Sequence, residues 1–184
     1  MPRQIDHDAR RLQILRDSLG LFARHGYAGL SMRALASGLG VSTGTLYHYF
    51  DGKEAIFAAT VRHLADDVIG EAVAGIAPEA DRAARLEALG RTLLARADEL
   101  QQALSIAQEA ARGGDPDQVG LTREVFAAFT GVIQRELALP DPAPARVLLS
   151  FLLGLLTHRH LDPDGVDLRL HVDVMVQLGG AWQA

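Results

Sequence analysis

The sequence predicts an all-α fold in which a small helix-turn-helix domain, residues 1–52, precedes a larger helical domain, residues 53–184. Three observations support this prediction. Apolar residues recur at helical spacing along nearly the whole chain. Glycine and proline residues divide the chain into segments of helix length. The charge also changes sign, because residues 1–53 hold seven Arg and Lys against four Asp and Glu, whereas residues 54–184 hold eleven against nineteen. Such asymmetry is typical of a nucleic-acid-binding head on an acidic body.

The first helix is predicted at about residues 8–25, where Ile14, Leu15, Leu19 and Phe22 share one face and Gly26 supplies the C-terminal stop. A second, short helix follows, with Ser31 as its N-cap because its hydroxyl can accept from free N–H groups of the first turn. Its inner face contains Leu35, Ala36 and Leu39.

A third helix is predicted after the glycine-containing turn at Gly38 and Gly40, with Ser42 as its N-cap. Leu46 and Phe50 lie four residues apart and are predicted to face inward. The opposite face then carries Thr43, Gly44, Tyr47 and His48. A short helix that is braced from inside while its outer face stays free is what a helix-turn-helix needs in order to enter a DNA major groove.

Breakers at Gly75–Pro78, Gly113–Pro116, Pro140–Pro144 and Asp162–Gly165 predict the remaining helices at about 53–74, 79–98, 99–112, 117–138, 143–160 and 166–181. Residues 168–178 also alternate with the period of a strand. A lone strand is unstable and no partner strand is evident, so the helical interpretation is preferred.

Composition excludes several classes of protein. The chain has no cysteine, which excludes disulfides, cysteine-type zinc fingers and a cysteine nucleophile. The polar start contains no signal peptide, and the most apolar run, Val147–Leu156, is half the ~20 residues that a membrane span needs, so a cytoplasmic protein is expected. We find no P-loop, HExxH or GxSxG motif. His158 and His160 are two residues apart, which places them on different sides of a helix and not around one metal ion. No metal site, cofactor or enzymatic activity is therefore expected from these motifs and this spacing.

The segments Leu30–Ala36, Leu39–Phe50 and Lys53–Ile56, with Leu21–Tyr27 upstream, resemble the DNA-binding domain of the TetR family over roughly residues 10–60. The resemblance implies DNA contacts from Thr43, Thr45, Tyr47 and His48, close approach at Gly44, and a base or phosphate contact from Arg33. It also implies a phosphate clamp at Lys53, the only lysine of the chain. Ser42 and the N-terminus of the third helix suit a phosphate, since that helix end carries partial positive charge.

Some roles stay open at this point. Tyr49 is more consistent with packing than with DNA contact, Tyr47 can serve both purposes, and His48 can be a solvated surface residue. Arg3, Arg10 and Arg11 can form an N-terminal arm in the minor groove or be solvated charge.

The larger domain is expected to dimerise, because specific binding needs two heads roughly 34–36 Å apart. The nearly all-apolar segment Val147–Leu156 favours the last two helices as the interface, which the resemblance also implies. The predicted interface residues are Leu148, Phe151, Leu152, Leu155, Val172, Val176 and Gly179.

The resemblance further implies a pocket for a small-molecule effector within the larger domain. Its candidate lining residues are His63, Leu89, Thr92, Leu93, Leu104, Gln108, Thr122, Phe126, Phe129 and Ile133. The leading hypothesis is therefore a homodimeric repressor that binds a near-palindromic DNA operator and is released by an unidentified effector. The alternative is a small-molecule-binding or enzymatic helical bundle whose basic head is incidental.

Overall fold

The computed structural model describes residues 7–112 and 116–180, and all regular secondary structure in these residues is α-helical. Their helices are α1 (His7–His25), α2 (Met32–Gly38), α3 (Thr43–Tyr49), α4 (Lys53–Ala74), α5 (Arg82–Ala95), α6 (Ala97–Arg112), α7 (Pro116–Glu136), α8 (Pro142–Leu161) and α9 (Leu168–Gly180). The predicted all-α fold is confirmed. The helical interpretation of residues 168–178 is correct, since this segment lies within α9.

The chain divides into two compact units. Unit 1 contains the described residues up to Leu64 and those of Ser105–Thr122, and unit 2 contains Ala65–Leu104 and the described residues from Arg123 onward. Unit 1 therefore includes residues 53–64 and 105–122, which the sequence-based division assigned to the second domain. The helix-turn-helix helices α1, α2 and α3 all belong to unit 1.

The caps of the helix-turn-helix are those that the local sequence predicts. Gly26, directly after α1, has a positive φ of 70°, a backbone conformation that glycine adopts without strain. The hydroxyl of Ser31 accepts from the Ala34 N–H at 3.2 Å, and that of Ser42 accepts from the Thr45 N–H at 3.0 Å. Each serine thus satisfies one N–H of a helix's first turn, which fixes where α2 and α3 begin.

Unit 1 has a core of aliphatic and aromatic side chains, to which α1, α2, α3 and the start of α4 contribute. Phe22 of α1 is fully buried and meets Phe57 of α4 edge-on, with 5.4 Å between the ring centroids. Tyr27 stacks on Phe22 at 6.1 Å. Leu35 and Leu46, one from each helix of the helix-turn-helix, are also fully buried. Burial of α3 on this core holds its opposite face outward.

Unit 2 contains two apolar clusters that share several partly buried neighbours. The first includes Leu86, Ile133, Leu137, Ala145, Leu148, Leu149 and Met175. The second includes Leu93, Ala97, Leu104, Leu156 and Val172. Because α5, α8 and α9 contribute to both clusters, these helices form one continuous packed body.

An ion-pair network also connects three helices of unit 2. Arg96, directly after α5, donates to Glu71 of α4 at 2.8 Å and to Glu99 of α6 at 2.8 and 2.9 Å. The hydrogen bond to Glu99 is the main cause that raises the pKa of Arg96, although partial burial opposes it. The guanidinium therefore stays charged and holds the α5–α6 corner against α4.

Close contact between α5 and α9 depends on Gly90, and Gly90→Ala is expected to lower the free energy of unfolding by about 1–2 kcal/mol. A Cβ at Gly90 would collide with Cγ1 of Val172, so the two helices would have to separate. The gain in helix propensity, up to about 1 kcal/mol, does not offset this overpacking. Urea denaturation measures the change.

Gly70→Ala is the matched control, because Gly70 is exposed inside α4 and a Cβ there would meet nothing within 4 Å. It should gain the propensity term and lose nothing. A Gly90→Ala variant as stable as the Gly70→Ala variant would show that α5 and α9 do not approach as described.

Candidate nucleic-acid interface

The outer face of α3 carries most of the residues that are predicted from the sequence to contact DNA. Tyr47 is 58% exposed, and Thr43, Gly44 and His48 are also exposed. Leu46, between them in the sequence, is fully buried and Phe50 is 5% exposed. The helix therefore presents an aromatic and polar surface while its aliphatic side anchors it, which is the geometry that major-groove recognition requires.

Ser42 and Thr45 are bound to each other at the start of α3. The Thr45 N–H donates to Oγ of Ser42 at 3.0 Å, and the two hydroxyl oxygens lie 2.8 Å apart. Ser42 is exposed, whereas Thr45 is only partly exposed. Both side chains thus stabilise the helix start, and a phosphate bound there would meet the cap as well as the helix dipole.

Tyr49 makes packing contacts with neighbouring rings. Its hydroxyl lies 3.2 Å from Nδ1 of His7, at the start of α1, and its ring centroid is 6.0 Å from that of His7. The ring of His48 is 5.6 Å from that of His7. The packing interpretation of Tyr49 fits these contacts, and His7 is an additional neighbour of α3 that the sequence did not indicate.

The ammonium group of Lys53, the predicted phosphate contact, is held in place by Tyr27. Its Nζ donates to the carbonyl oxygen of Tyr27 at 3.0 Å and lies 4.3 Å from the centroid of the Tyr27 ring. Sequence reasoning did not select Tyr27 as a functional residue, although its position directly after the helix-ending Gly26 was a usable signal. Arg33, the other predicted cationic contact, is exposed in the first turn of α2.

The predicted N-terminal arm is only partly described. Arg3 lies outside the described residues, whereas Arg10 and Arg11 lie within α1. The guanidinium carbon of Arg11 is 5.2 Å from the Phe50 ring centroid, and Arg10 donates to Gln13 at 3.1 Å. These two arginines therefore belong to α1, which begins at His7 close to the predicted start, and not to an extended arm.

The predicted effector-pocket residues fall in both units. His63, Gln108 and Thr122 belong to unit 1, and Gln108 is exposed there. The others belong to unit 2, where Leu93 and Leu104 are core residues, and Phe126 and Phe129 pack on the core. The buried Thr92 hydroxyl donates to its own helix, at Ala88 O, 3.4 Å away.

Unit 2 contains a small apolar void of about 20 Å³. Two of the predicted pocket residues, Leu89 and Ile133, line it together with Leu86, Gly90, Leu148, Leu152 and Met175. This volume is far below the 300 Å³ or more of a typical ligand site, so an effector would have to separate these side chains in order to bind here.

The predicted interface residues divide into buried and exposed sets. Leu148, Leu155 and Val172 are at most 6% exposed and pack inside unit 2, so they do not lie on an outer face of the protomer. Phe151 is 42% exposed, and Leu152 and Val176 are partly buried. Gly179 lies in α9 but outside the residues whose side-chain surroundings are described. Among the residues of α8 and α9 whose exposure is described, the large apolar side chains that face outward are Val147, Phe151, Leu161, Leu170 and Val174.

No helix among residues 7–112 and 116–180 is long and apolar enough to cross a membrane. Within the same ranges, no three His, Asp or Glu side chains are grouped so that they could hold a metal ion. The Nδ1 atom of His171 lies 2.6 Å from the carbonyl oxygen of Asp167.

Residues 14–60 match the family model of bacterial regulatory proteins of the tetR family. The transcriptional repressor KstR2 of Rhodococcus jostii is 34% identical over 100 residues, which cover 54% of this chain and 49% of KstR2. The repressor AcnR of Corynebacterium diphtheriae is 42% identical over 53 residues, which cover 29% of this chain and 28% of AcnR. The chain thus spans half or less of the length of these curated relatives.

Likeness of fold extends much further than likeness of sequence. The regulator FadR of Bacillus subtilis, solved in complex with stearoyl-CoA, superposes with a TM-score of 0.75 over 94% of this chain and 99% of that chain, at 16% identity. At this identity the match shows a common fold and nothing more. Residues 14–60 thus match the DNA-binding region of the tetR family of bacterial regulatory proteins, within a chain that shares the all-helical fold of this solved structure.

Proposed function

We propose that the protein is a homodimeric transcriptional repressor that binds a near-palindromic DNA operator and is released by a small-molecule effector. The outward face of α3 carries this proposal, because Tyr47 and its polar neighbours are exposed over a fully buried Leu46. A side chain as large as Tyr47 at 58% exposure leaves apolar surface in water unless a partner covers it. DNA provides both stacking surface and phosphate acceptors for its ring and hydroxyl.

The second copy is proposed to bind on the outward apolar face of α8 and α9, which we call the α8–α9 face. On α8 this face contains Val147, 59% exposed, Phe151 and the exposed Gly154, spaced four and three residues apart. On α9 it contains Leu170 and Val174, again four apart. The spacing places each set on one side of its helix. Two such faces would bury each other across a two-fold axis, as an isologous dimer requires.

Effector binding is proposed to act on unit 2. An effector can release DNA only if it binds one arrangement of the dimer more tightly than the other. The apolar lining of the void at Leu89 and Ile133 favours an apolar portion of the effector, which would force these side chains apart. A long-chain acyl-CoA is a suitable first probe, because the similarly folded FadR binds one.

Selection of duplexes from random-sequence DNA by the purified protein, followed by a salt titration, tests the proposed function. Binding through several phosphates should weaken steeply as salt rises, with log K falling linearly against log of the salt concentration. Failure to select any duplex, or binding indifferent to salt, would instead favour the alternative of a small-molecule-binding helical bundle.

Tyr47→Ala is expected to weaken binding to the selected duplex by about 1–3 kcal/mol per head while the protein stays folded and dimeric. The exposed side chain contributes little to the core, so its loss should not lower the unfolding midpoint. Gel-shift titration and analytical ultracentrifugation measure the two properties. Tyr47→Phe separates the hydroxyl from the ring, and an unfolded or monomeric Tyr47→Ala variant would contradict the assignment.

A further inference from the structure

The turn between α1 and α2, residues 26–31, is held within unit 1 by side chains from two distant parts of the sequence. Glu109 of α6 contacts it on its N–H groups, and Lys53 of α4 contacts it on a carbonyl. Tyr27 is the residue that both contacts share. Lys53 is one of the DNA contacts predicted from the sequence, whereas Glu109 was given no role.

The Glu109 carboxylate is seated closely on the turn. Oε2 accepts from the Tyr27 N–H at 3.4 Å and Oε1 accepts from the Ala28 N–H at 3.5 Å. These hydrogen bonds are long, but the two donors engage both oxygens of one charged group. A Cβ at Gly26 would lie 2.9 and 3.0 Å from the two oxygens, so a side chain at this position would displace the carboxylate.

Tyr27 transmits this constraint to Lys53. Its carbonyl accepts from the ammonium at 3.0 Å, and its ring lies beneath the same ammonium at 4.3 Å. Its hydroxyl donates to Glu54, the residue after Lys53, at 3.0 Å. The backbone position of Tyr27 therefore determines where the ammonium is held. Two of the three ammonium N–H groups remain for a phosphate once one binds Tyr27.

We propose that Glu109 is a positioning residue for DNA binding, which holds the α1–α2 turn so that Tyr27 places the Lys53 ammonium for its phosphate contact. This inference rests on the proposed function. The two explanations predict opposite changes in DNA affinity when Glu109 is replaced. By charge alone, loss of a carboxylate from the DNA-binding unit should strengthen binding to a polyanion. By positioning, the same loss should weaken it.

Glu109→Gln and Glu109→Ala are the test variants, and Glu79→Gln is the charge-matched control. Glu79 is exposed in the loop between α4 and α5. On the duplex selected by the wild-type protein, both Glu109 variants should bind about tenfold more weakly, whereas Glu79→Gln should bind equally or slightly more tightly. The Glu109→Gln side chain keeps one acceptor oxygen but places an NH₂ group against a backbone N–H, so it disturbs the turn with little change in packing.

Two further readouts separate positioning from a merely structural role. Loss of the Lys53 phosphate contact in both heads should reduce the slope of log K against log salt by about two. In a Lys53→Ala background, Glu109→Ala should cause no more than about a twofold further loss, because the two residues act in series. Thermal unfolding confirms that each variant is folded at the temperature of the binding assay.

Unchanged or tighter binding by Glu109→Gln would overturn the inference, as would a full tenfold loss in the Lys53→Ala background. If the wild-type protein bound its duplex while Glu109→Gln bound it equally well, only this inference would fail. A wild-type protein that selects no duplex would refute the proposed function together with it.

Discussion

Leu46→Ala is expected to lower the free energy of unfolding of unit 1 by about 2–5 kcal/mol and to abolish binding to the selected duplex at micromolar protein. Leu46 is fully buried, and its truncation removes apolar surface and leaves a cavity beneath α3. The helix has only seven residues, from Thr43 to Tyr49, too few to be stable without its packing. Loss of this one buried side chain should therefore unfold α3, so that its exposed face is no longer positioned to contact DNA.

Comparison with the neighbouring Tyr47 separates a loss of folding from a loss of DNA contact. Leu46→Ala and Tyr47→Ala are adjacent truncations on one short helix, yet only the first should lower the denaturant midpoint, since Tyr47 is exposed. Both should weaken DNA binding, the first through folding and the second through contact. Circular dichroism during urea denaturation gives the midpoints. A Leu46→Ala protein with wild-type stability would mean that α3 is not anchored by this side chain.

Local signals in the sequence were sufficient for the helices of the helix-turn-helix and for their caps. Ser31 and Ser42 cap the predicted helices because a serine hydroxyl satisfies N–H groups two or three residues away, an interaction that depends only on neighbours. Gly26 ends α1 for an equally local reason, its positive φ. The outward face of α3 followed from the same short-range periodicity, once Leu46 was assigned to the core.

Long-range contacts could not be predicted in this way. Glu109 lies 82 positions after Tyr27, and no pattern within α6 indicates that its carboxylate meets the α1–α2 turn. The α8–α9 face shows the same limit. Because α8 is apolar on nearly all sides, periodicity did not distinguish Leu148, buried in unit 2, from Phe151, which faces outward. The direction of a uniformly apolar helix depends on what packs around it.

Phe151→Glu is expected to dissociate the proposed dimer and, with it, to remove binding to a two-headed operator. Phe151 is 42% exposed in the α8–α9 face, beside Val147 and Gly154, so in a dimer its partner would cover it. Two carboxylates brought together there without a counter-charge should raise the dimer dissociation constant by about 100-fold or more, equivalent to about 3 kcal/mol. Sedimentation velocity measures the change.

Mass action then links the dimer to DNA binding. If Phe151→Glu acts only on association, unit 1 stays intact and duplex binding should reappear with a steep dependence on protein concentration, because two protomers must assemble on each operator. Ala83→Glu, at an exposed site of α5, is the matched control and should remain dimeric with full affinity. A Phe151→Glu protein that stays dimeric at nanomolar concentration would place the interface elsewhere. Monomers that bind the operator as tightly as the wild type would show that one head suffices, because the second head would then add no affinity.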